Sequence, residues 1–276
     1  MGVYRKAPMI IQLLILLAVF CAVVAAAAYL FQRRMMYFPD RARPSEEQCC
    51  AAGLLFWPQA GDGYRGFIGR AKPAGAEGLI VVFHGNAGAA WNRDYYVHAL
   101  GPLGYRVVVA EYPGYGGRGG RWGERQLVQD AKETVRIAHG EFGGPVFLWG
   151  ESLGCGVAAA VAADPPVPVE GVVMITPWDS LPELAQTHYR HLPVRRFMRD
   201  RYDNIRNLRS YRNPVAVVAA ERDEIVPATH AMRLYDALAG PKRLWVFKGV
   251  GHNTWPTGPN EGWWREVAAF TSGRET

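Results

Sequence analysis

The chain has 276 residues, of which 49% are hydrophobic, 12% aromatic and 20% charged, and its formal net charge is +6. This composition is typical of a globular protein with a sizeable core and excludes an intrinsically disordered chain. The excess of arginine is not accompanied by a zinc finger, basic zipper or ribonucleoprotein signature. We therefore expect a folded protein with no nucleic-acid partner.

The first predicted element is an apolar helix. No charged residue occurs between Met9 and Phe31, and a run of this length can cross a bilayer. We predict that residues 1–35 form a short tail and a transmembrane anchor. The alternative is a cleaved signal peptide, since small residues at 22–28 offer a cleavage site. Basic residues flank the run almost equally, so the positive-inside rule only slightly favours an extracytoplasmic position for the rest of the chain.

Residues 36–276 are predicted to form a single domain, because they contain no linker, repeat or low-complexity tract. Short apolar runs rich in β-branched residues predict strands at 79–83, 105–110, 146–149, 171–175, 215–220 and 244–247. Helical patterns lie between them at 89–100, 124–139, 152–162, 228–239 and 263–271. This alternation predicts an α/β fold, with a mainly parallel sheet and helices on both faces. Ligands bind such sheets at the carboxyl ends of the strands.

A serine lies at one of these strand ends. Ser152, between Gly150 and Gly154, completes the motif G-x-S-x-G, where a sharp strand-to-helix turn raises the serine hydroxyl above the sheet. A side chain at either glycine is expected to collide with the other arm of the turn. The alternative, a capping serine at a glycine-rich helix start, explains the serine but not both glycines. The pattern favours Ser152 as a nucleophile.

A serine hydroxyl needs a base, and the base needs a carboxylate to fix its tautomer. His252 lies in a glycine-flanked loop after the last predicted strand, and Asp223 follows the strand at 215–220. Both therefore fall at the same edge of the sheet as the serine. His84, at the end of strand 79–83, is the rival base. The rival acids are Glu221, Glu224, Asp179 and Asp203.

The turn that follows His84 indicates a different role for this part of the chain. Residues 85–88 precede a predicted helix, so a backbone N–H there could act together with the N–H of Leu153. Two such donors can stabilise the oxyanion formed when a serine attacks a carbonyl group.

The cysteines do not indicate a metal site. Cys49 and Cys50 are adjacent and cannot easily bridge each other, Cys21 lies in the apolar run, and Cys155 lies where a helix needs a small side chain. No C-x-x-C or H-E-x-x-H motif occurs. We predict no metal ion and no organic cofactor.

The motifs together resemble the α/β-hydrolase superfamily. They are FHGNAG (83–88), EYPGYGGRGG (111–120), GESLGCGVA (150–158), RDEIVP (222–227) and GHN (251–253). With MMYFP after the apolar run, the chain looks like the small membrane-anchored serine hydrolases, the group that includes protein depalmitoylases, although the cysteine-rich amino terminus of the depalmitoylases is absent.

The resemblance implies an eight-stranded α/β-hydrolase sheet and a function. It implies Ser152 as nucleophile, Asp223 as acid, His252 as base, and Asn86 and Leu153 as oxyanion donors. The expected activity is cleavage of acyl ester or thioester bonds of lipid-like substrates. The chain length of the acyl group, the head group and the oligomeric state stay open.

The segment at 178–213 fits the place where this fold inserts a cap over the active site. It combines apolar residues with eight arginines between Arg190 and Arg212. We expect a cap that binds the acyl chain and approaches anionic lipid head groups. A solvated two-helix cap without a lipid role explains the same composition.

Two other functional classes fit parts of the sequence. Residues 114–119, GYGGRG, fit the dinucleotide motif G-x-G-x-x-G, with Glu151 as a partner for a ribose. Bulky Tyr112, Pro113 and Tyr115 crowd that turn, and the serine, aspartate and histidine remain unexplained by it. A catalytically inactive membrane scaffold with the same fold is the second alternative.

Overall fold

The computed structural model of the protein describes residues 8–274 apart from 62, 72, 74 and 76. The chain divides into two compact units between Tyr37 and Phe38. The first contains helix α1 (Met9–Phe31), whose bounds are those predicted for the apolar run. At 1.5 Å per residue this helix is about 35 Å long, enough to cross the hydrocarbon core of a bilayer. Its length and composition suit a membrane span, and a signal sequence meets the same test.

The second unit is built on an eight-stranded sheet. Its strands in chain order are β2 (Leu54–Trp57), β3 (Gly66–Gly69), β4 (Gly78–Phe83), β6 (Tyr105–Ala110), β7 (Val146–Glu151), β8 (Val169–Ile175), β9 (Val215–Ala220) and β10 (Lys242–Phe247). Their spatial order is β2-β3-β6-β4-β7-β8-β9-β10. The six strands from β6 to β10 are parallel, whereas β2 and β3 pair antiparallel at one edge. Two short strands, β1 (Phe38–Pro39) and β5 (Ala87–Gly88), form a separate parallel pair.

Helices cover the sheet on both faces. After α1 they are α2 (Glu46–Ala51), α3 (Asp94–Leu100), α4 (Glu124–Phe142), α5 (Leu153–Ala163), α6 (Leu181–His188), α7 (Asn204–Leu208), α8 (Ala228–Ala237) and α9 (Gly262–Thr271). Short 3-10 turns occur at Ala90–Arg93 and Val194–Arg196. Helices α3 and α9 pack on one face, and α4, α5 and α8 lie on the other.

Burial on both faces explains why the strand sequences are continuously apolar rather than alternating. In β4, Ile80 and Val82 belong to the cluster that includes Trp264 and Val267 of α9. Their neighbour Val81 points to the opposite face and is also fully buried. The apolar runs that predicted the strands therefore reflect a sheet with no solvent-facing side at its centre.

The predicted α/β fold class is confirmed, and all six predicted strands are present. The antiparallel pair β2 and β3 had not been located, because LLFW is only four residues long and GFIG is bounded by glycines, which weaken strand propensity. The helix predicted at 89–100 is instead a 3-10 turn followed by α3. Segment 178–213 holds α6, the second 3-10 turn and α7.

Candidate active site

Ser152 occupies a strained turn between β7 and α5. Its φ of 51° and ψ of −111° lie in a backbone region that residues other than glycine rarely adopt. Such strain persists only where the surrounding structure enforces it, and it is common at functional sites. The turn lies at the carboxyl end of β7, so the serine stands at the edge of the sheet where ligands of this architecture bind.

Close packing explains the two glycines beside the serine. A Cβ at Gly150 would lie 2.6 Å from the backbone of Cys155 on the other arm of the turn, as expected. A Cβ at Gly154 would overlap the carbonyl oxygen of Phe83 in β4. The second collision is therefore with the neighbouring strand, not with the other arm of the turn. Both glycines let the start of α5 lie directly against the sheet.

The structure brings His252 and Asp223 to this serine. Nε2 of His252 lies 3.0 Å from Oγ of Ser152, and Nδ1 lies 2.7 Å from Oδ2 of Asp223. The other oxygen of Asp223 accepts hydrogen bonds from the backbone N–H groups of Ile225, at 3.0 Å, and Val226, at 2.6 Å. The carboxylate is thus fixed, and donation from Nδ1–H leaves Nε2 free to accept the serine proton. All three side chains are at most 8% exposed.

The rival base His84 lies elsewhere in the interior. Its Nε2 is 3.0 Å from Oε1 of Glu111, and its Nδ1 is 2.8 Å from the carbonyl oxygen of Gly85. Both ring nitrogens are therefore engaged by oxygen atoms, and neither is available to Ser152. Glu111 also accepts a hydrogen bond from the backbone N–H of Ala90. This fully buried pair holds the turn after β4 in place.

The rival acids have other partners. Asp179 contacts His230 at 2.7 Å and Arg233 at 2.6 Å. Asp203 caps α7, and Glu221 pairs with Lys248. Glu224 accepts the backbone N–H of His252 at 3.3 Å, which supports the histidine loop without reaching the imidazole.

The two predicted oxyanion donors belong to segments that meet at the serine. Leu153 is the first residue of α5, where backbone N–H groups lack partners within the helix. A Cβ placed on Gly85 would stand 3.7 Å from Cβ of Ser152, so the turn containing Asn86 lies beside this serine. The carbonyl oxygen of Asn86 is held by the hydroxyl of Tyr115 at 2.9 Å.

Glu151, which the sequence suggests only as a ribose partner, has structural contacts that the sequence does not predict. Its carboxylate lies 3.2 Å from Nη2 of Arg93 and 2.7 Å from the hydroxyl of Tyr95. The same Nη2 donates to the carbonyl oxygen of Ala87 at 3.3 Å. Arg93 therefore links the residue before Ser152 to the turn that contains Asn86. The only signal in the sequence was a carboxylate at the end of a buried strand.

The charge of Glu151 is stabilised by these contacts. Burial by itself raises the pKa of a carboxyl group, but the Arg93 guanidinium and the hydrogen bonds from Tyr95 and Arg93 outweigh burial and lower the pKa of Glu151. Glu151 is therefore ionised next to Ser152. Within the described part of the chain, no cluster of three or more His, Cys, Asp or Glu side chains could hold a metal ion.

Comparison with known proteins identifies the family. A family model described as serine aminopeptidase, S33, matches residues 74–199. An uncharacterized protein of Mycobacterium tuberculosis is 37% identical over 228 residues, which cover 80% of each chain. The chain belongs to the α/β-hydrolase superfamily. The lysophosphatidylserine lipase ABHD12 of Danio rerio is similar to this hydrolase, with 28% identity over 88% of this chain and 72% of the lipase.

Solved structures show the same fold. The monoacylglycerol lipase of Paleococcus ferrophilus matches with a TM-score of 0.56 and 22% identity, over 74% of this hydrolase and 98% of the lipase. The esterase Pf2001 of Pyrococcus furiosus matches with a TM-score of 0.65 and 17% identity, over 85% and 96% of the two chains. These neighbours show the fold, and the relative that is 37% identical over 80% of the chain confirms the resemblance to the superfamily. The narrower likeness to the group with depalmitoylases stays a prediction.

The Glu151–Arg93 pair gives a pH-dependent prediction for this hydrolase. Glu151→Gln should lower the free energy of unfolding at pH 7 by about 2 kcal/mol, because it leaves the partly buried guanidinium of Arg93 without its carboxylate partner. The pKa of Glu151 is lower in the folded protein than in the unfolded chain, so its contribution to stability is complete above the ordinary glutamate pKa of about 4.3. That contribution is lost as the pH falls through the pKa of the folded state. We expect urea unfolding in detergent, measured from pH 7 to pH 3, to show a difference in unfolding free energy between wild type and Glu151→Gln that narrows below about pH 4.

The matched control is Glu133→Gln, which removes an exposed carboxylate paired with Arg136. It should change stability little at any of these pH values. A difference in unfolding free energy between wild type and Glu151→Gln that stays constant down to pH 3 would contradict the conclusion that Glu151 is ionised in the folded protein.

Proposed function

We propose that this hydrolase cleaves acyl ester or thioester bonds through a Ser152–His252–Asp223 triad and an acyl-enzyme intermediate. The observation that supports the proposal is the pair of hydrogen bonds that links Asp223 through His252 to Ser152, a serine held at positive φ. A capping serine needs neither the strain nor the histidine. Carboxylic ester hydrolases are the enzyme class to which the family and its relatives point.

The proposed steps follow from the positions of the atoms. Nε2 of His252 takes the proton of Ser152 as its Oγ attacks the carbonyl carbon, and Asp223 stabilises the imidazolium that forms. The N–H groups of Asn86 and Leu153 stabilise the oxyanion. The imidazolium then returns the proton to the leaving alcohol or thiol. Water, activated by the same histidine, releases the acyl group and restores the serine.

We propose a lipid as the acyl donor. One relative is named a lysophosphatidylserine lipase, and one structural neighbour a monoacylglycerol lipase. We further propose that α1 anchors the protein in a membrane, with the hydrolase domain on the extracytoplasmic side. Protease accessibility of the domain in intact cells tests that topology.

Two alternatives have specific support. The family model is described as a serine aminopeptidase, which makes amide hydrolysis a candidate activity. A scaffold without activity would need the three side chains to be inaccessible to substrate, and all three are largely buried. The hydrogen bonds that join Asp223 to His252 and His252 to Ser152 favour an active enzyme over a scaffold.

Covalent labelling tests the triad. A fluorophosphonate probe should label the detergent-solubilised protein, and Ser152→Ala should abolish labelling because the acceptor oxygen is gone. His252→Ala and Asp223→Asn should each slow labelling and the hydrolysis of a lysophospholipid by at least about a thousandfold. The measurements are gel fluorescence over time and release of free fatty acid.

The matched controls are Glu221→Gln and His98→Ala, which change one exposed carboxylate and one exposed histidine outside the proposed cap and should leave both rates unchanged. A folded wild-type protein that is never labelled would favour the scaffold. Cleavage of aminoacyl amides with no cleavage of esters would favour the peptidase.

We propose residues 36–276 as the hydrolase domain and segment 178–213 as a cap inserted into it. Two contacts attach this segment to the rest of the domain. Thr187 contacts His230 of α8 at 3.1 Å, and the carboxylate of Glu124 accepts the backbone N–H of Tyr202 at 3.0 Å. Between these attachments the segment exposes Tyr189, Leu192 and Phe197, together with Arg190, Arg195, Arg196 and Arg199. Exposed aromatic and basic side chains suit contact with an anionic bilayer surface.

Turnover on liposomes tests the role of the cap. Hydrolysis of a lipid ester should rise with the fraction of anionic lipid, and charge reversal by Arg195→Glu, Arg196→Glu and Arg199→Glu should remove most of that rise. The same triple variant should hydrolyse a short soluble ester normally. If the rate of hydrolysis on liposomes changes neither with the fraction of anionic lipid nor with the three substitutions, a lipid-facing cap is contradicted. The segment would then be a solvated cap without a lipid role.

A further inference from the structure

An open groove of about 580 Å³ lies beside the glycine-rich loop 114–120, which follows β6. Arg41, Arg121 and Trp122 line it together with the loop. The guanidinium of Arg41 stands 5.2 Å from the centre of the Trp122 ring. This cation–π contact holds a positive charge at the groove.

The groove carries positive charge that its neighbours do not neutralise. Arg118, which also lines it, shares the carboxylate of Asp130 with Arg65. Arg41 and Arg121 have no carboxylate partner among the residues that the structure describes. Two guanidinium groups are therefore available to an anion.

Backbone donors add to this charge. Positive φ angles of 79° at Gly117 and 115° at Gly120 turn the loop sharply. Over the described ranges, the N–H groups of Gly117, Gly119 and Gly120 donate to no acceptor in the protein. Neighbouring unpaired N–H groups in such turns form concave anion sites. Guanidinium groups match the oxygen atoms of phosphate in particular.

The groove adjoins the catalytic edge of the sheet. Strands β4 and β6 are neighbours and end level with each other, with Phe83 opposite Ala110. The loop after β6 therefore lies beside the turn after β4. Within the loop, the hydroxyl of Tyr115 holds the carbonyl oxygen of Asn86, and the turn containing Asn86 lies next to Ser152. The groove is on the same edge as the nucleophile and one strand beyond the oxyanion turn.

We propose that this groove binds the phosphate of a lysophospholipid head group while the acyl ester lies at Ser152. The inference rests on the proposed function, because it places the head group of the substrate whose ester the triad cleaves. A monoacylglycerol carries the same ester without the phosphate. The groove therefore favours anionic lysophospholipids over neutral glycerides as substrates.

The test compares two substrates with one acyl chain, 1-oleoyl-lysophosphatidylglycerol and 1-oleoylglycerol, in micelles of a neutral detergent. The double variant Arg41→Gln/Arg121→Gln should lose about tenfold or more in kcat/KM on the phospholipid, mainly through KM, since charged hydrogen bonds to phosphate are removed. Its kcat/KM on 1-oleoylglycerol should stay within twofold of wild type, which also shows that the variant is folded. The control Arg265→Gln, an exposed residue on α9, should change neither value. Equal effects on both substrates, or none, would overturn the proposal.

A binding measurement separates the groove from the chemistry. Full-length Ser152→Ala protein should bind glycerophosphoglycerol in a calorimetric titration, and the added Arg41→Gln/Arg121→Gln changes should abolish the binding. Equally tight binding of inorganic phosphate would indicate a site for free phosphate and overturn the head-group assignment, as would preferential binding of NAD. If wild-type protein hydrolyses neither lipid but the titration succeeds, the proposed function fails and the anion site stands.

Discussion

The close approach of α5 to the sheet is the constraint on which the rest of the site depends. A helix that begins immediately after a strand can lie against that strand and its neighbour only if Gly150 and Gly154 lack side chains. This geometry forces Ser152 into a positive φ, which raises its hydroxyl and directs the helix N–H groups toward the same point. The proposed nucleophile Ser152 and the proposed oxyanion donor Leu153 thus depend on one packing constraint. His252 and Asp223 reach this serine from two other loops.

Buried carboxylates at the ends of the strands hold the other loops of the site in place. Glu111 follows β6 and fixes the turn after β4 through His84, and Glu151 ends β7 and reaches the same turn through Arg93. Asp223 follows β9 and holds the histidine loop after β10. Each carboxylate is engaged by an arginine or histidine and most also by backbone N–H groups, as buried charge requires. The turn after β4 and the loop after β10 are therefore fixed relative to the serine by hydrogen bonds to carboxylates and not by packing alone.

The sequence predicted much of this arrangement, for identifiable reasons. Strands covered on both faces are continuously apolar, so β6 and β9 were placed with their observed bounds. Parallel strands end at one edge, so the meeting of Ser152, Asp223 and His252 followed from their positions after three strands. The contacts of Glu151 with Arg93 could not be derived, because they join two loops whose relative position depends on the whole sheet. The antiparallel edge formed by β2 and β3 was missed because short, glycine-bounded strands carry little periodicity.

The measurement that tests the central claim most directly is mass spectrometry of the protein, quenched in acid during the first turnover of a p-nitrophenyl acyl ester. Nucleophilic catalysis at the strained turn predicts a burst of p-nitrophenol close to one equivalent, with the acyl mass on the peptide that contains Ser152. Turnover without acylation of that peptide, or an acyl group on Cys155 in place of the serine, would contradict the assignment of Ser152 as the nucleophile.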